Sequence, residues 1–171
     1  MHGGVTRRSN MARRSTKYYY VMKANIILFG TGNSGKTTTL KILYYLLTGT
    51  IPPVNTPRIQ ITYKGLKIDF AFNGDHIDVV EENVAFFKNN PCDIAVSPTR
   101  TEGGPVMAMN YFIDKTLPIT ENILWKRTTD IPSSKRAAKK CASEPSNFAK
   151  NLPQSYQMAN KLKKIIDEIA V

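Results

Sequence analysis

Gly30-Thr31-Gly32-Asn33-Ser34-Gly35-Lys36-Thr37 has the spacing G-x-x-x-x-G-K-[ST], and its flanks decide the fold. Just before it, Asn25-Ile26-Ile27-Leu28-Phe29 is a short apolar run that reads as a buried strand. Just after it, Thr38 to Leu47 reads as a helix, with Leu40, Leu43 and Leu47 at helical spacing. Strand, glycine loop and helix in that order open an α/β unit. The plain alternative is a strand-to-helix turn that happens to be glycine-rich.

The residue types in the loop suit a phosphate. Glycines let the chain turn with its N–H groups pointing inward, and no side chain bars an anion. A helix opening at Gly35 or Lys36 adds its positive end to that nest. Lys36 is expected to reach terminal phosphates as a mobile point charge, and Thr37 to offer its hydroxyl to Mg²⁺. The expected nucleotide-contacting set is Gly30, Thr31, Gly32, Asn33, Ser34, Gly35, Lys36, Thr37 and Thr38.

The chain has 171 residues, enough for one domain with a full core. Its net charge of +11 is unevenly spread. Residues 1–23 carry six Lys/Arg and no acid, residues 24–126 carry nine of each sign, and residues 127–171 carry nine Lys/Arg against four acids. The excess sits on the ends, so the expected polyanion contact is weak and non-specific, through basic termini, or those ends simply stay solvated. No apolar run approaches the length of a membrane span. Cys92 and Cys141 make neither a disulfide framework nor, with His2 and His76, a zinc site, and a cytoplasmic setting is the default. Residues 1–21 lack apolar periodicity and are expected to be a disordered basic extension or an over-long start, because Met22-Lys23-Ala24-Asn25 looks like a natural beginning. Residues 22–171 are expected to form the domain.

After the first helix, Thr48-Gly49-Thr50 and Pro52-Pro53 stop the chain from continuing as helix. The polar loop to Arg58 is either a connector or a nucleotide- or partner-sensing segment, with Thr56 and Arg58 as its candidates. Ile59 to Tyr63 alternates as a half-buried strand, Lys64-Gly65 turns, and Leu66 to Phe72 follows as its antiparallel partner. Asp75 then stands where a magnesium-orienting acid is expected, or it caps the next helix, Ile77 to Lys88, in competition with Asp78. That helix is expected to turn Ile77, Val80, Val84 and Phe87 inward. Asp69 is the second choice of acid: a mid-strand carboxylate needs a cation or donors, unless it faces solvent. His76 reads as surface or packing.

Cys92 to Val96 reads as a strand parallel to the first. It runs into Ser97-Pro98-Thr99-Arg100-Thr101-Glu102-Gly103-Gly104-Pro105, at a strand's carboxyl end where open α/β sheets bind ligands. Arg100 is a candidate clamp for a transferring phosphate and Glu102 a candidate base. A structured turn capped by Thr101 before a helix over Val106 to Ile113 is the alternative. Leu117 to Trp125 is the last strand candidate. In the long segment from Lys126 to Pro153, Lys135 to Lys140 reads as a basic helix acting as lid, as polyanion contact or as neither. Ser155 to Ala170 closes the chain as a helix with Met158, Leu162, Ile165, Ile166 and Ile169 inward.

On these residues the chain resembles the phosphate-loop NTPases, with element order in support over residues 22–171. The resemblance implies a three-layer α/β/α fold, its central sheet mostly parallel with one antiparallel hairpin. It implies a nucleoside triphosphate with Mg²⁺ at the carboxyl ends of the strands. Gly30, Gly32, Gly35, Lys36 and Thr37 carry over directly. Small GTPases also place a hairpin at this point of their chain. More narrowly, the chain looks like small ATP-binding proteins of bacteria and their mobile elements, in which Gly-Asp (Gly74-Asp75) and Thr-Arg-Thr (Thr99-Arg100-Thr101) frame the site. A GTPase would want Asn-Lys-x-Asp, which is absent, so ATP is preferred over GTP. Partition-type ATPases and dethiobiotin synthetase share the flavour of Glu102-Gly103-Gly104. The partition-type ATPases, however, carry a second lysine early in the loop, where this chain has Thr31 and Gly32. A small-molecule kinase would fit Arg100 and the basic segment, and a DNA motor would need an acidic strand end that is missing. Two functions follow. One is Mg²⁺-dependent phosphoryl transfer from ATP to water or a small acceptor, through Lys36, Asp75, Arg100 and Glu102, with Thr37 and Asp75 on the metal. The other is a nucleotide-gated module in which residues 49–58 and 97–104 order to engage a protein or nucleic acid.

Overall fold

The computed structural model describes residues 22–115, 121–126 and 147–171. The chain runs β1 (Ala24–Phe29), α1 (Lys36–Thr48), β2 (Arg58–Tyr63), β3 (Leu66–Ala71), α2 (Ile77–Asn89), β4 (Ile94–Thr99), α3 (Gly104–Lys115), β5 (Glu121–Lys126), α4 (Phe148–Asn151) and α5 (Pro153–Ile169). The strands form one five-stranded sheet in the order β2-β3-β4-β1-β5. β1 lies parallel to β4 and β5, β3 lies parallel to β4, and β2 alone runs antiparallel, on β3. The protein is therefore α/β with a mixed sheet. The hairpin between β2 and β3 turns on Lys64 (φ 47) and Gly65 (φ 80), the two positive values that a tight two-residue connection needs.

Successive residues of a strand face opposite sides, so a strand covered on both faces must be apolar throughout. β1 follows this rule from Ile26 to Phe29, and Asn25 is its buried polar exception. Ile26 packs with Leu40 and Leu43 of α1 and Leu162 and Ile166 of α5, whereas its neighbour Ile27 packs with Val80 and Phe87 of α2 and Met109 and Phe112 of α3. Each such Leu or Ile, fully buried, contributes roughly 1.5–3 kcal/mol. α5 is also tied to the hairpin: the Asp167 carboxylate accepts from Lys163 Nζ (2.6 Å), Lys64 Nζ (2.8 Å) and Tyr63 Oη (2.7 Å). Those donors, Lys163 first, hold its acid well below the usual carboxylate range.

Several expectations need correction. β4 begins two residues later than expected and runs to Thr99, because it pairs with β1 as far as Phe29 and Thr99. Pro98 argues against a strand in sequence, but β3 stops pairing with β4 at Phe70 and Val96. The missing N–H of Pro98 lies on that vacated side and takes no bond from the ladder. Ile77 does not turn inward with Val80 and Phe87; it is 43% exposed. α5 starts at Pro153, which serves as its first-turn residue, and α4 occupies what read as loop. The basic segment 135–140, the extension 1–21 and Cys141 lie outside the described residues. Among those described, no helix is long and apolar enough to cross a membrane.

Asp69 neither faces solvent nor joins the glycine loop. It is fully buried mid-strand in β3, accepts from Gln60 Nε2 at 2.8 Å, and lies against the Cys92 thiol. Burial pushes its acid from 3.8 up to about 6, against the pull of Gln60 and Cys92. A raised acid binds its proton in the folded chain after the unfolded chain has lost it. Its contribution to stability is complete below pH 3.8 and fades as pH rises through about 6. Asp69→Asn, which does not titrate, is expected to be more stable than the parent at pH 8 by roughly 1–3 kcal/mol, with the gap closing by about pH 4. Urea midpoints at the two pH values test this; equal gaps at both would contradict it.

Candidate functional site

β1 ends at Phe29, and the chain crosses the carboxyl end of the sheet through residues 30–35 to enter α1. Asn33 (φ 59) and Gly35 (φ 79) take the left-handed conformation. Asparagine tolerates that region and glycine is at home in it. Gly35 is the N-cap of α1, offers no side-chain cap, and no acidic residue stands in the first turn. The first N–H groups of a helix have no intrahelical acceptor. The positive end of this 13-residue helix therefore faces a cavity of about 110 Å³, lined by residues 33–38 together with Gly74, Asp75 and Pro98.

Lys36 is buried, and its ammonium donates to the carbonyls of Gly30 (2.9 Å) and Thr31 (2.7 Å), with Ser34 Oγ at 3.5 Å. Burial lowers its proton affinity below that of an ordinary lysine; Asp75 opposes the shift and Arg100 adds to it. The cation thus rests on the carbonyls of its own loop, on a stem flexible enough to swing onto an anion. The Thr37 hydroxyl donates to the Phe72 carbonyl at 2.7 Å. Its oxygen keeps acceptor lone pairs for a cation, and the bond ties the start of α1 to the end of β3.

Asp75 does not cap α2. The N-cap is His76, exposed and without a side-chain cap bond, and Asp78 falls in the first turn. Asp75 instead stands between two cations, its Oδ1 3.8 Å from Lys36 Nζ and 3.5 Å from Arg100 Nε. β4 separates β3 from β1, so this acid must reach across a strand to meet the loop. Gly74 makes the crossing possible: a Cβ there would stand 1.9 Å from the Pro98 carbonyl oxygen.

Arg100 follows β4 directly and brings its guanidinium beside Gly32. Its Nε is near enough to Asp75 for attraction but is not aligned for a hydrogen bond. Lys36, Thr37, Thr38, Asp75 and Arg100 are thus gathered with the loop. Glu102 is not: it is exposed on the connection to α3, outside the lining of the cavity. Thr56 lines a separate cleft of about 510 Å³, which also meets Lys41 of α1 and Phe72 and Asn73 at the end of β3.

One residue escaped the sequence reading. Asn83 is 1% exposed on the inward stripe of α2. It accepts from Arg58 Nε and donates to the Asn73 carbonyl, both at 2.7 Å. An asparagine three residues after Val80 and four before Phe87 was the available signal. Among the described residues no three His, Cys, Asp or Glu side chains form a metal cluster. No protein-family model, curated protein or solved structure matches this chain.

Proposed function

We propose that the chain binds ATP with Mg²⁺ on the loop 30–37 and transfers the γ-phosphoryl group to water or a small acceptor, as a three-layer phosphate-loop domain. The observation that carries this reading is the open positive end of α1, with Lys36 beneath it and Asp75 and Arg100 brought to it from two other strand ends. An isolated glycine-rich turn has no reason to gather an acid and a second cation from distant parts of the chain.

The loop's N–H groups and Lys36 hold the β- and γ-phosphates, and Arg100 meets the charge that spreads over the transferring group. Thr37 and Asp75 would hold Mg²⁺, which neutralises phosphate charge when bound. The acceptor oxygen forms its bond to the γ-phosphorus, the bridging P–O bond breaks with its electrons leaving on ADP, and the acceptor's proton passes to solvent. A small acceptor has room in the 510 Å³ cleft, which adjoins the site through Phe72 and Asn73. Lacking a guanine-reading motif, the chain is assigned to ATP rather than GTP.

ATP labelled on its γ-phosphate, incubated with the protein, Mg²⁺ and a pool of nucleosides, nucleotides and small metabolites, tests the reading. Label is expected to appear on an acceptor or as inorganic phosphate; the first defines a kinase and the second an ATPase. Label that stays on ATP at every enzyme concentration would overturn the assignment.

A further inference from the structure

Asn83 is satisfied on both ends of its amide. Oδ1 accepts from Arg58 Nε at 2.7 Å, and Nδ2 donates to the Asn73 carbonyl at 2.7 Å with Ser97 Oγ at 3.5 Å. These partners come from the start of β2, the end of β3 and the latter half of β4. The Ser97 hydroxyl points on to the Pro98 carbonyl at 3.3 Å, the same carbonyl that Gly74 crosses. The backbone that Asn83 holds is therefore two residues from Asp75 on one strand and three from Arg100 on the other.

Arg58 decides which way the amide points. A flipped amide would set N–H against the guanidinium and oxygen against the Asn73 carbonyl, donor facing donor and acceptor facing acceptor. Arg58 is itself anchored to α2 by an ion pair with Glu82. The result is a buried, fully satisfied polar latch, in which losing one donor leaves a carbonyl unpaired.

We propose that Asn83 is the positioning residue of this site, oriented by Arg58, holding the ends of β3 and β4 so that Asp75 stands between Lys36 and Arg100. What Asp75 then does rests on the ATP reading; the latch itself does not. Asn83 does not line the cavity, so it acts through the placement of Asp75.

Asn83→Asp isolates the role. An ionised carboxylate still accepts from Arg58 but has no hydrogen for the Asn73 carbonyl; protonated, it has one. The charged groups around position 83 are Arg58 from β2, Glu82 on α2, and Asp75 beyond Asn73. Arg58 favours the ionised form, so the variant lacks that hydrogen at neutral pH and above. At pH 8 the variant should turn over MgATP about a hundredfold more slowly than the parent. Amide-exchange protection of the Phe72 N–H, which donates to the Pro57 carbonyl at 3.0 Å between Arg58 and Asn73, should drop with it. Arg58→Gln, which frees the amide to flip, should act in the same direction by roughly tenfold, and decides the matter if the first variant does not fold.

Parental kcat and parental protection of the Phe72 N–H in either folded variant would overturn the proposal. If the parent turns over no ATP, the ATP reading fails, while the exchange comparison still decides the latch.

Discussion

Lys36→Ala is expected to reduce Mg²⁺-dependent ATP turnover by on the order of a hundredfold to a thousandfold, the usual loss when one preorganised donor to a developing charge is removed. Lys36 lines the cavity, and alanine removes its ammonium from the reach of a terminal phosphate. Two other changes accompany it. The carbonyls of Gly30 and Thr31 lose their donor, and Asp75 keeps only Arg100 of its two cations. The fold should survive, because removing the lysine stem leaves room for water to reach those carbonyls from the cavity. Circular dichroism and single-turnover kinetics on the same preparation separate the two effects. A variant that is folded and as active as the parent would remove Lys36 from the mechanism.

Gly74→Ala should be the most damaging alanine substitution among the described glycines. The added Cβ meets the backbone oxygen of Pro98 at 1.9 Å, and its carbon at 2.6 Å, neither of which can rotate away. Either β3's continuation lifts off β4, or β4's end moves, and both carry the site. A loss of about 3 kcal/mol or more in stability is expected, at the upper end for overpacking, with turnover falling by about a hundredfold even where the protein is folded. Gly65→Ala is the control: its φ of 80 is unfavourable for alanine, but nothing lies within 4 Å, so about 1–2 kcal/mol and no change in turnover are expected. Thermal melts of the two variants against the parent measure the contrast. Equal shifts would mean that the Gly74 crossing is not tight.

Local patterns were legible before any coordinates. The apolar run before the glycine loop, the helix after it, the alternating hairpin and the amphipathic closing helix each depend on neighbours in sequence, and each forms where expected to within a few residues. What could not be read depends on strand order. Pro98 looks like a strand breaker until β3 is seen to have left its side of the ladder. Asp75 reads equally as cap or metal acid until Gly74 is seen to carry it over β4 toward Lys36. Arg100 and Glu102 look alike as polar residues after a strand, yet only Arg100 turns back to the loop. Asp69 reads as a spare ligand, but β2 and Cys92 enclose it. Asn83 is a polar residue on an apolar stripe, and its meaning lies in Arg58 and Asn73, 25 and 10 residues away.

Calorimetric titration of the full-length protein with ATP, with and without Mg²⁺, is the most direct measurement to make. Saturable one-to-one binding that tightens with Mg²⁺ and disappears in Lys36→Ala is the expected result. Heats of dilution alone, with ATP and with every other nucleoside triphosphate, would mean that the loop at residues 30–37 is a turn and nothing more.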